Sequence, residues 1–182
     1  IQIDGDVILN KNFIKDHLKF AKPNQYLFGS RISIQEKKLS ELFKNKNINL
    51  NFFTSKISKR FRAIRIPFLN YFVSQNHEVS KKLRGCNISY WKSDVLKING
   101  YNEDFKGWGG EDYEFIHRLH LSGVAGKRIK HAAIVYHIYH KESSKENCYK
   151  NAEVQQKSFE SGNFVVPTWN TKIYPMKITL IS

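Results

Sequence analysis

The chain has 182 residues, 41% of them hydrophobic and 14% aromatic, the composition of one globular domain with a real core. Its 30 Lys and Arg against 16 Asp and Glu leave a net charge of +14, which favours anionic partners: nucleotide diphosphates, anionic lipid head groups, acidic glycans or nucleic acid. Two cysteines, Cys86 and Cys148, make no disulfide framework and point to a reducing compartment; no apolar run reaches membrane-spanning length, and no signal-peptide pattern opens the chain.

Ile1-Gln2-Ile3 reads as a short strand running into Asp4-Gly5-Asp6, followed by apolar Val7, Ile8 and Leu9 and a helix from about Asn12 to Phe20. Two carboxylates flanking a glycine at the carboxyl end of a strand are placed to meet a divalent cation. The missing downstream ligands and the apolar Val7-Ile8-Leu9 exclude an EF-hand, and a plain Asp-Gly turn is the other reading. Gln25 to Ile34 reads as a second strand, with Tyr26, Phe28 and Ile32 alternating and Arg31 just past Gly29-Ser30. Gln35 to Lys44 is expected as an exposed helix. Phe53, Ile57, Phe61 and Ile64 then fall at helical spacing, with Lys56, Lys59, Arg60, Arg62 and Arg65 around the rest of the turn and Pro67 ending the pattern. Such a helix either packs its apolar stripe on the core or lies on an anionic bilayer.

Arg84 to Trp91 is the next expected strand, carrying Cys86 and Ile88 toward the core. Ser93 with Asp94 caps a short helix through Lys97, and Gly100 ends it. The stretch from Asn99 to Leu119, NGYNEDFKGWGGEDYEFIHRL, organises the rest. A glycine-aromatic loop, Gly107-Trp108-Gly109-Gly110, leads into Glu111 and Asp112, and a helix beginning near Gly110 stops at Gly123. One helical row holds Asp112, Ile116 and Leu119, so Asp112 stands at the open end of the buried stripe, while Glu111, Glu114 and Arg118 occupy the flank. A carboxylate pair beside an indole suits proton abstraction from a sugar hydroxyl; acidic residues complementing a helix dipole are the alternative. Arg128 to Tyr139 is strand-like and delivers His137 and His140, three apart, a spacing that can serve a transition metal. His17, His77, His117, His120 and His131 read as ordinary core or surface residues. Ser143 to Phe159 is expected as a solvated, Ser-capped helix ending before Gly162, and Phe164 to Ser182, with Pro167 and Pro175, as an irregular tail or short strand. There is no internal repeat and no low-complexity linker.

Asn99-Gly100-Tyr101 followed by Gly107-Trp108-Gly109-Gly110-Glu111-Asp112 resembles the signature of the β-1,4-galactosyltransferase C-terminal region, shared with bacterial family 2 glycosyltransferases and chondroitin-polymerase-type enzymes. The resemblance extends through Arg84-Gly85-Cys86-Asn87-Ile88-Ser89 and His137-Ile138-Tyr139-His140, covering about residues 84–140 strongly and 1–31 more loosely. It implies an α/β fold, the C-terminal portion of a GT-A nucleotide-diphospho-sugar transferase. The sheet would be mixed and flanked by helices, with the nucleotide-binding strands that precede the DxD motif missing. A chain that opens at Ile1, in mid-pattern and without methionine, is accordingly expected to be a fragment. It divides into a metal region at 1–31, an acceptor and catalytic region at 84–140 and a C-terminal helix and tail at 141–182.

The implied activity is inverting transfer from a nucleotide-diphosphate sugar, a UDP-sugar above all, to a glycan or lipid-linked acceptor in surface polysaccharide synthesis. In that reading Asp112 is the general base, and Glu111, Trp108, Gly109 and Gly110 bind the acceptor. Asp4 and Asp6 hold Mn2+ or Mg2+, Asp6 the more directly. His140 completes the metal shell, and His137 takes the position where the galactosyltransferases keep a methionine ligand. Arg84 and Asn87 would be weaker donor contacts. The expected location is cytoplasmic, on the inner face of a membrane, with peripheral contact through Phe53–Arg65. Two alternatives stand beside this: a non-catalytic glycan-binding domain, and a basic nucleic-acid or anionic-surface module. Against the latter, the positive charge is dispersed except at Lys56–Arg65.

Overall fold

The structure is a computed structural model, and it describes residues 1–141 and 144–166. The expected cap Ser143 and the tail from 167 to 182, with Pro167 and Pro175, lie outside the described residues. The fold is mixed α/β. In chain order it runs β1 (Val7–Leu9), α1 (Phe13–Phe20), β2 (Gln25–Phe28), β3 (Ser30–Ile34), α2 (Leu39–Asn45), β4 (Ile57–Ser58), β5 (Ile88–Ser89), α3 (Lys92–Lys97), α4 (Glu111–Leu121), β6 (Ala125–Arg128), β7 (Ile134–His137) and α5 (Cys148–Ser161). Two mixed sheets form, one in the order β1-β7-β3-β4 and one in the order β5-β2-β6.

The strand expected over Gln25–Ile34 is broken at Gly29, and the one expected over Arg128–Tyr139 shortens to β7, with β6 formed separately just before it. β2 runs parallel to β6 with Gln25 opposite Ala125 and Phe28 opposite Arg128, whereas β3 runs parallel to β7 with Ser30 opposite Ile134. One residue, Gly29, therefore faces the five from Ile129 to Ala133, and no ladder absorbs that surplus. The excess loops out through His131 (φ 59°) and Ala133 (φ 44°), and one sheet becomes two. The crossing admits only glycine at 29, because a Cβ there would lie 2.3 Å from the Ala133 carbonyl oxygen and 2.5 Å from Asn87 Nδ2.

The α4 stripe is buried as its periodicity requires. Phe115, Ile116 and Leu119 pack with Tyr26, Phe28, Ile88 and Ile98. On the other sheet β7 is buried along its whole length, Val135 against Phe13, Leu27 and Cys86, and Tyr136 against Ile32, Ile34 and Leu42. Glu114 and Arg118, expected on the flank of the buried stripe, are themselves buried against α5. Arg118 Nε and Nη2 donate to Glu114 at 2.7 and 2.9 Å, Nη1 donates to the Ile98 carbonyl, and Ser158 Oγ donates to Glu114 at 2.8 Å. Removing one partner from such a buried pair costs about 3–5 kcal/mol.

Other boundaries shift for local reasons. Ile1–Ile3 is not a strand; only Gln2 bridges to Ile88. Residues 53–65 form no amphipathic helix, since Ile57–Ser58 pairs with β3 and a 3-10 turn follows at Arg60–Ala63. The apolar stripe is divided accordingly: Ile57 is buried, while Phe53 and Phe61 are 83% and 72% exposed. Residues 84–91 form a 3-10 turn, Gly85–Asn87, before the two-residue β5. Ser93 and Asp94 sit inside α3, whose N-cap is Trp91. A 3-10 turn at Glu36–Lys38 precedes α2, and α5 starts at Cys148 and ends on left-handed Gly162. Among the described residues no helix is long and apolar enough to cross a membrane.

Candidate active site

Antiparallel pairing puts Val7 opposite His137, so the segment entering β1 lies beside the carboxyl end of β7. Ile138 N–H donates to the Asp6 carbonyl at 2.9 Å and fixes that register. Asp4-Gly5-Asp6 thus stands at the amino end of β1 rather than at the end of an Ile1–Ile3 strand. It still reaches the carboxyl edge of the parallel β3–β7 pair, where ligands of α/β sheets collect. A cavity of about 530 Å³ opens there, lined by Asp4, Gly5, Asp6, Arg31, Trp108, His137, His140 and Lys145.

Within it, ligand atoms of Asp6, His137 and His140 all lie within 4.8 Å of one another. Asp6 Oδ2 is 3.3 Å from His137 Nε2 and 3.0 Å from His140 Nε2. The His140 Nδ1 contact with the Lys141 carbonyl at 2.7 Å requires a donor, so Nδ1 carries the hydrogen. In the neutral ring the Nε2 lone pair then faces the Asp6 carboxylate, an arrangement that asks for a cation between them. The other Asp6 oxygen, Oδ1, is buried without a hydrogen-bond partner. One carboxylate and two imidazoles fit Mn2+; Mg2+, which favours an all-oxygen shell, suits them less well. Burial, reinforced by the charges of Asp6 and Asp112, pushes the Asp4 carboxyl up.

The second group of residues is built on α4. Tyr101 Oη donates to Asp112 Oδ1 at 2.9 Å, and Gln2 Nε2 reaches the same oxygen at 3.5 Å. Gln2 Oε1 in turn accepts from Tyr90 Oη at 2.9 Å and lies 3.0 Å from Tyr101 Oη, whose single hydrogen goes to Asp112. Tyr101 stacks on Phe115 with centroids 4.2 Å apart. Its burial and the Asp112 charge hold the phenol above its usual range, so it remains a donor. On the other side the carboxylate fills the space a side chain would take at Gly85, where a Cβ would lie 2.1 Å from Asp112 Oδ2.

The Trp108 loop owes its shape to positive φ at Gly107, Gly109 and Gly110, 69°, 122° and 88°. Gly109 N–H donates to Glu111 Oε2 at 3.0 Å, so Glu111 braces the loop that carries the indole. Buried Asn151 of α5 holds it from outside: Lys106 N–H donates to its Oδ1, and its Nδ2 donates to the Lys106 and Trp108 carbonyls. Trp108 remains 52% exposed, a free face for a sugar ring, with Lys145 Nζ 5.7 Å from its centroid.

Of the expected residues, Asp4, Asp6, Trp108, His137 and His140 line the cavity, while Gly109, Gly110, Glu111 and Asp112 belong to the loop and helix start that follow Trp108 and are not among its lining residues; Asn87 and Arg84 stand apart from both groups. Asn87 is buried; its Nδ2 donates to the Ser30 and Ala133 carbonyls, and its Oδ1 accepts from or faces His17 Nε2 at 3.0 Å. It ties the two sheets together and has no free face for a donor. Arg84 lines no part of the cavity, and its Nη1 donates to the Lys81 and Leu83 carbonyls. Gln2, Tyr101, Gly85 and Asn151 were not legible as site residues, for their roles depend on long-range contacts. Arg31 carried a weak signal, a charged position in an alternating strand whose neighbours Ser30 and Ile32 are buried.

Residues 71–141 match the family described as the N-terminal domain of galactosyltransferase. The chain is also similar to validoxylamine A glucosyltransferase of Streptomyces hygroscopicus subsp. jinggangensis (strain 5008), 47% identical over 67 residues, or 35% of this chain and 16% of the relative. The protein of that name from Streptomyces hygroscopicus subsp. limoneus is 47% identical over 67 residues, 35% of this chain and 15% of its own length. The chain thus spans a small part of these curated relatives. The matches support a glycosyltransferase and a sugar-transfer function, and the mixed α/β fold accords with part of a GT-A domain.

Proposed function

We propose that these residues form the metal-binding and acceptor-activating part of an inverting, metal-dependent glycosyltransferase. It moves a sugar from a nucleotide-diphosphate donor, a UDP-sugar in the first instance, to a hydroxyl of a glycan or lipid-linked acceptor. The observation that carries this reading is the juxtaposition of two unlike devices at one sheet edge: the Asp6–His137–His140 donor set and the Trp108 loop leading to clamped Asp112. Structural helices with acidic first turns do not need a carboxylate held by Tyr101 and Gln2 against a glycine.

In this reading the acceptor ring stacks on Trp108, and its hydroxyl is turned toward Asp112. Asp112 takes the hydroxyl proton as the acceptor oxygen bonds to the anomeric carbon and the bond from that carbon to the diphosphate oxygen breaks on the opposite face. Tyr101 and Gln2 keep the carboxylate aimed, and Glu111 acts through the loop rather than on the acceptor. Asp6, His137 and His140 would hold the Mn2+, which when bound supplies positive charge against the departing diphosphate.

The test compares wild type with Asp112→Asn and Asp6→Ala in the protein carrying these residues, measuring nucleoside diphosphate release from a panel of nucleotide sugars with Mn2+ and with EDTA. Asp112→Asn is expected to lower turnover about 100- to 10,000-fold with donor binding retained. Asp6→Ala is expected to weaken Mn2+-dependent donor binding, and EDTA to mimic it. Near-normal turnover by Asp112→Asn would remove the base, and full activity in EDTA would remove the metal. Acceptor binding with no turnover from any donor would leave a glycan-binding domain.

A further inference from the structure

A second cavity, of about 190 Å³, opens at the β6 edge of the β5-β2-β6 sheet and shares no lining residue with the cavity around Asp4 and Asp6. Asn76 and Gly126 exchange backbone hydrogen bonds of 2.8 Å in both directions, so the 74–82 segment runs along the outer edge of β6. The strand register sets Tyr26 beside Gly126 and Phe28 beside Arg128 on one face of the sheet, and these four residues line the cavity. A Cβ at Gly126 would lie 2.3 Å from Tyr26 Oη, which is itself anchored 2.9 Å from His120 Nε2. The 74–82 segment supplies the rest of the lining with every second residue, each of them polar: Ser74, Asn76, Glu78, Ser80 and Lys82. Arg128 Nε is buried without a hydrogen-bond partner, and Arg128 takes part in none of the ion pairs among the described residues. Burial, and then the like charge of Arg62, push its pKa below the usual arginine range. Lys82 forms no ion pair there either, so Glu78, the one carboxylate in the lining, pairs with neither cation. Asn76 Oδ1 and Ser80 Oγ already accept the N–H groups of Glu78 and Lys82, which leaves the amide and hydroxyl hydrogens to be donated. A buried guanidinium nitrogen without an acceptor is costly, and an oxyanion supplies the acceptor it lacks. Glu78 has the complementary need, for hydroxyl donors.

We propose that this second cavity binds an acidic sugar, its anionic group held by Arg128 and Lys82 and its hydroxyls by Glu78, Asn76 and Ser80. The net charge of +14 favours anionic ligands over the whole surface. The cavity adds what dispersed charge lacks, polar groups converging on a volume for one small ligand. The chemistry required is an oxyanion on a hydroxylated ring, which a uronate and a sugar phosphate both present. The site stands apart from the sugar-transfer reading, for binding there needs neither Mn2+ nor a nucleotide.

The experiment is calorimetric titration of galacturonate, galactose 6-phosphate, galactose and inorganic phosphate, at constant ionic strength and in EDTA, alongside thermal melts. The proteins are wild type, Arg128→Gln, Arg128→Lys and the double variant Ser80→Ala/Lys82→Gln, each in the full protein carrying these residues. Wild type is expected to bind one or both sugar anions about tenfold or more tightly than galactose. Arg128→Gln is expected to weaken those sugar anions about tenfold or more, and Arg128→Lys to recover part of the loss. The double variant is expected to lose about threefold, and it decides the matter if Arg128→Gln does not fold. A preference for galacturonate upholds the site as one for a uronate, and a preference for galactose 6-phosphate as one for a sugar phosphate. Equal affinity of wild type and the folded variants for the sugar anions would overturn the proposal, as would no binding of either by wild type. Galactose binding as tightly as the sugar anions would overturn the role of the charge, and inorganic phosphate binding as tightly would overturn the role of the sugar.

Discussion

A single methyl group at Gly85 tests the geometry on which the proposed chemistry depends. The backbone there is not left-handed, so alanine meets no conformational penalty. What it meets is the base. An added Cβ would lie 2.1 Å from Asp112 Oδ2 and 2.5 Å from Oδ1, whereas ordinary van der Waals contact begins at 3.4 Å. The carboxylate must therefore retreat by about an ångström or more. It cannot do so and keep both the 2.9 Å bond from Tyr101 and the 3.5 Å approach of Gln2. Misplacing a catalytic group by about 1 Å costs on the order of 100-fold in rate, and forcing a methyl into packed space costs about 1–3 kcal/mol. Gly85→Ala is thus expected to lower donor turnover about 100-fold and the melting temperature by several degrees, at roughly 2–4 °C per kcal/mol. Mn2+ affinity should be unchanged, because Asp6, His137 and His140 do not touch Gly85. The assay is initial nucleoside diphosphate release at saturating donor, with calorimetric Mn2+ titration and a melt. A folded Gly85→Ala protein turning over within about threefold of wild type would refute the placement of Asp112 as the limiting feature.

Two further outcomes follow from the packing. Asn151→Ala removes three hydrogen bonds to Lys106 and Trp108, so unfolding should be easier by about 1–3 kcal/mol and the acceptor KM should rise while Mn2+ binding stays constant; unchanged acceptor KM would detach α5 from the Trp108 loop. His17 is buried against Ser89 and Asn87, and burial lowers its pKa from 6.5 to about 4. The unfolded chain therefore takes up this proton below pH 6.5 and the folded chain only near pH 4, so stability is full above pH 6.5 and falls as pH drops toward 4, by about 3 kcal/mol for this group. Denaturant unfolding at several pH values checks it: His17→Gln should flatten the decline, and an identical pH profile for the two proteins would contradict the burial argument.

The sequence by itself determined the elements whose pattern is local. The row Asp112, Ile116, Leu119 and the glycines at 110 and 123 sufficed for α4, since helical periodicity and backbone permissiveness act within a few residues. The alternation around Arg31, the carboxylates at 4 and 6 and the histidines at 137 and 140 were legible for the same reason. Tertiary structure decided everything that depends on register between distant segments. Ile129–Ala133 facing Gly29 alone split one expected sheet into two, a mismatch visible only once β2–β3 and β6–β7 are paired. Glu114 and Arg118 fall on the flank of the helical stripe, and only the packing of α5 buries them, which their pairing with each other makes tolerable. Residues 53–65 had helical spacing, but pairing of Ile57–Ser58 with β3 outweighed it, because ladder bonds and burial of Ile57 exceed a weak local preference. Gln2 and Tyr101 reach Asp112 across 110 and 11 residues, and the space at Gly85 is defined by that same carboxylate. Which residues carry chemistry was written locally; how their atoms are aimed is a property of side chains brought together from far apart in the chain.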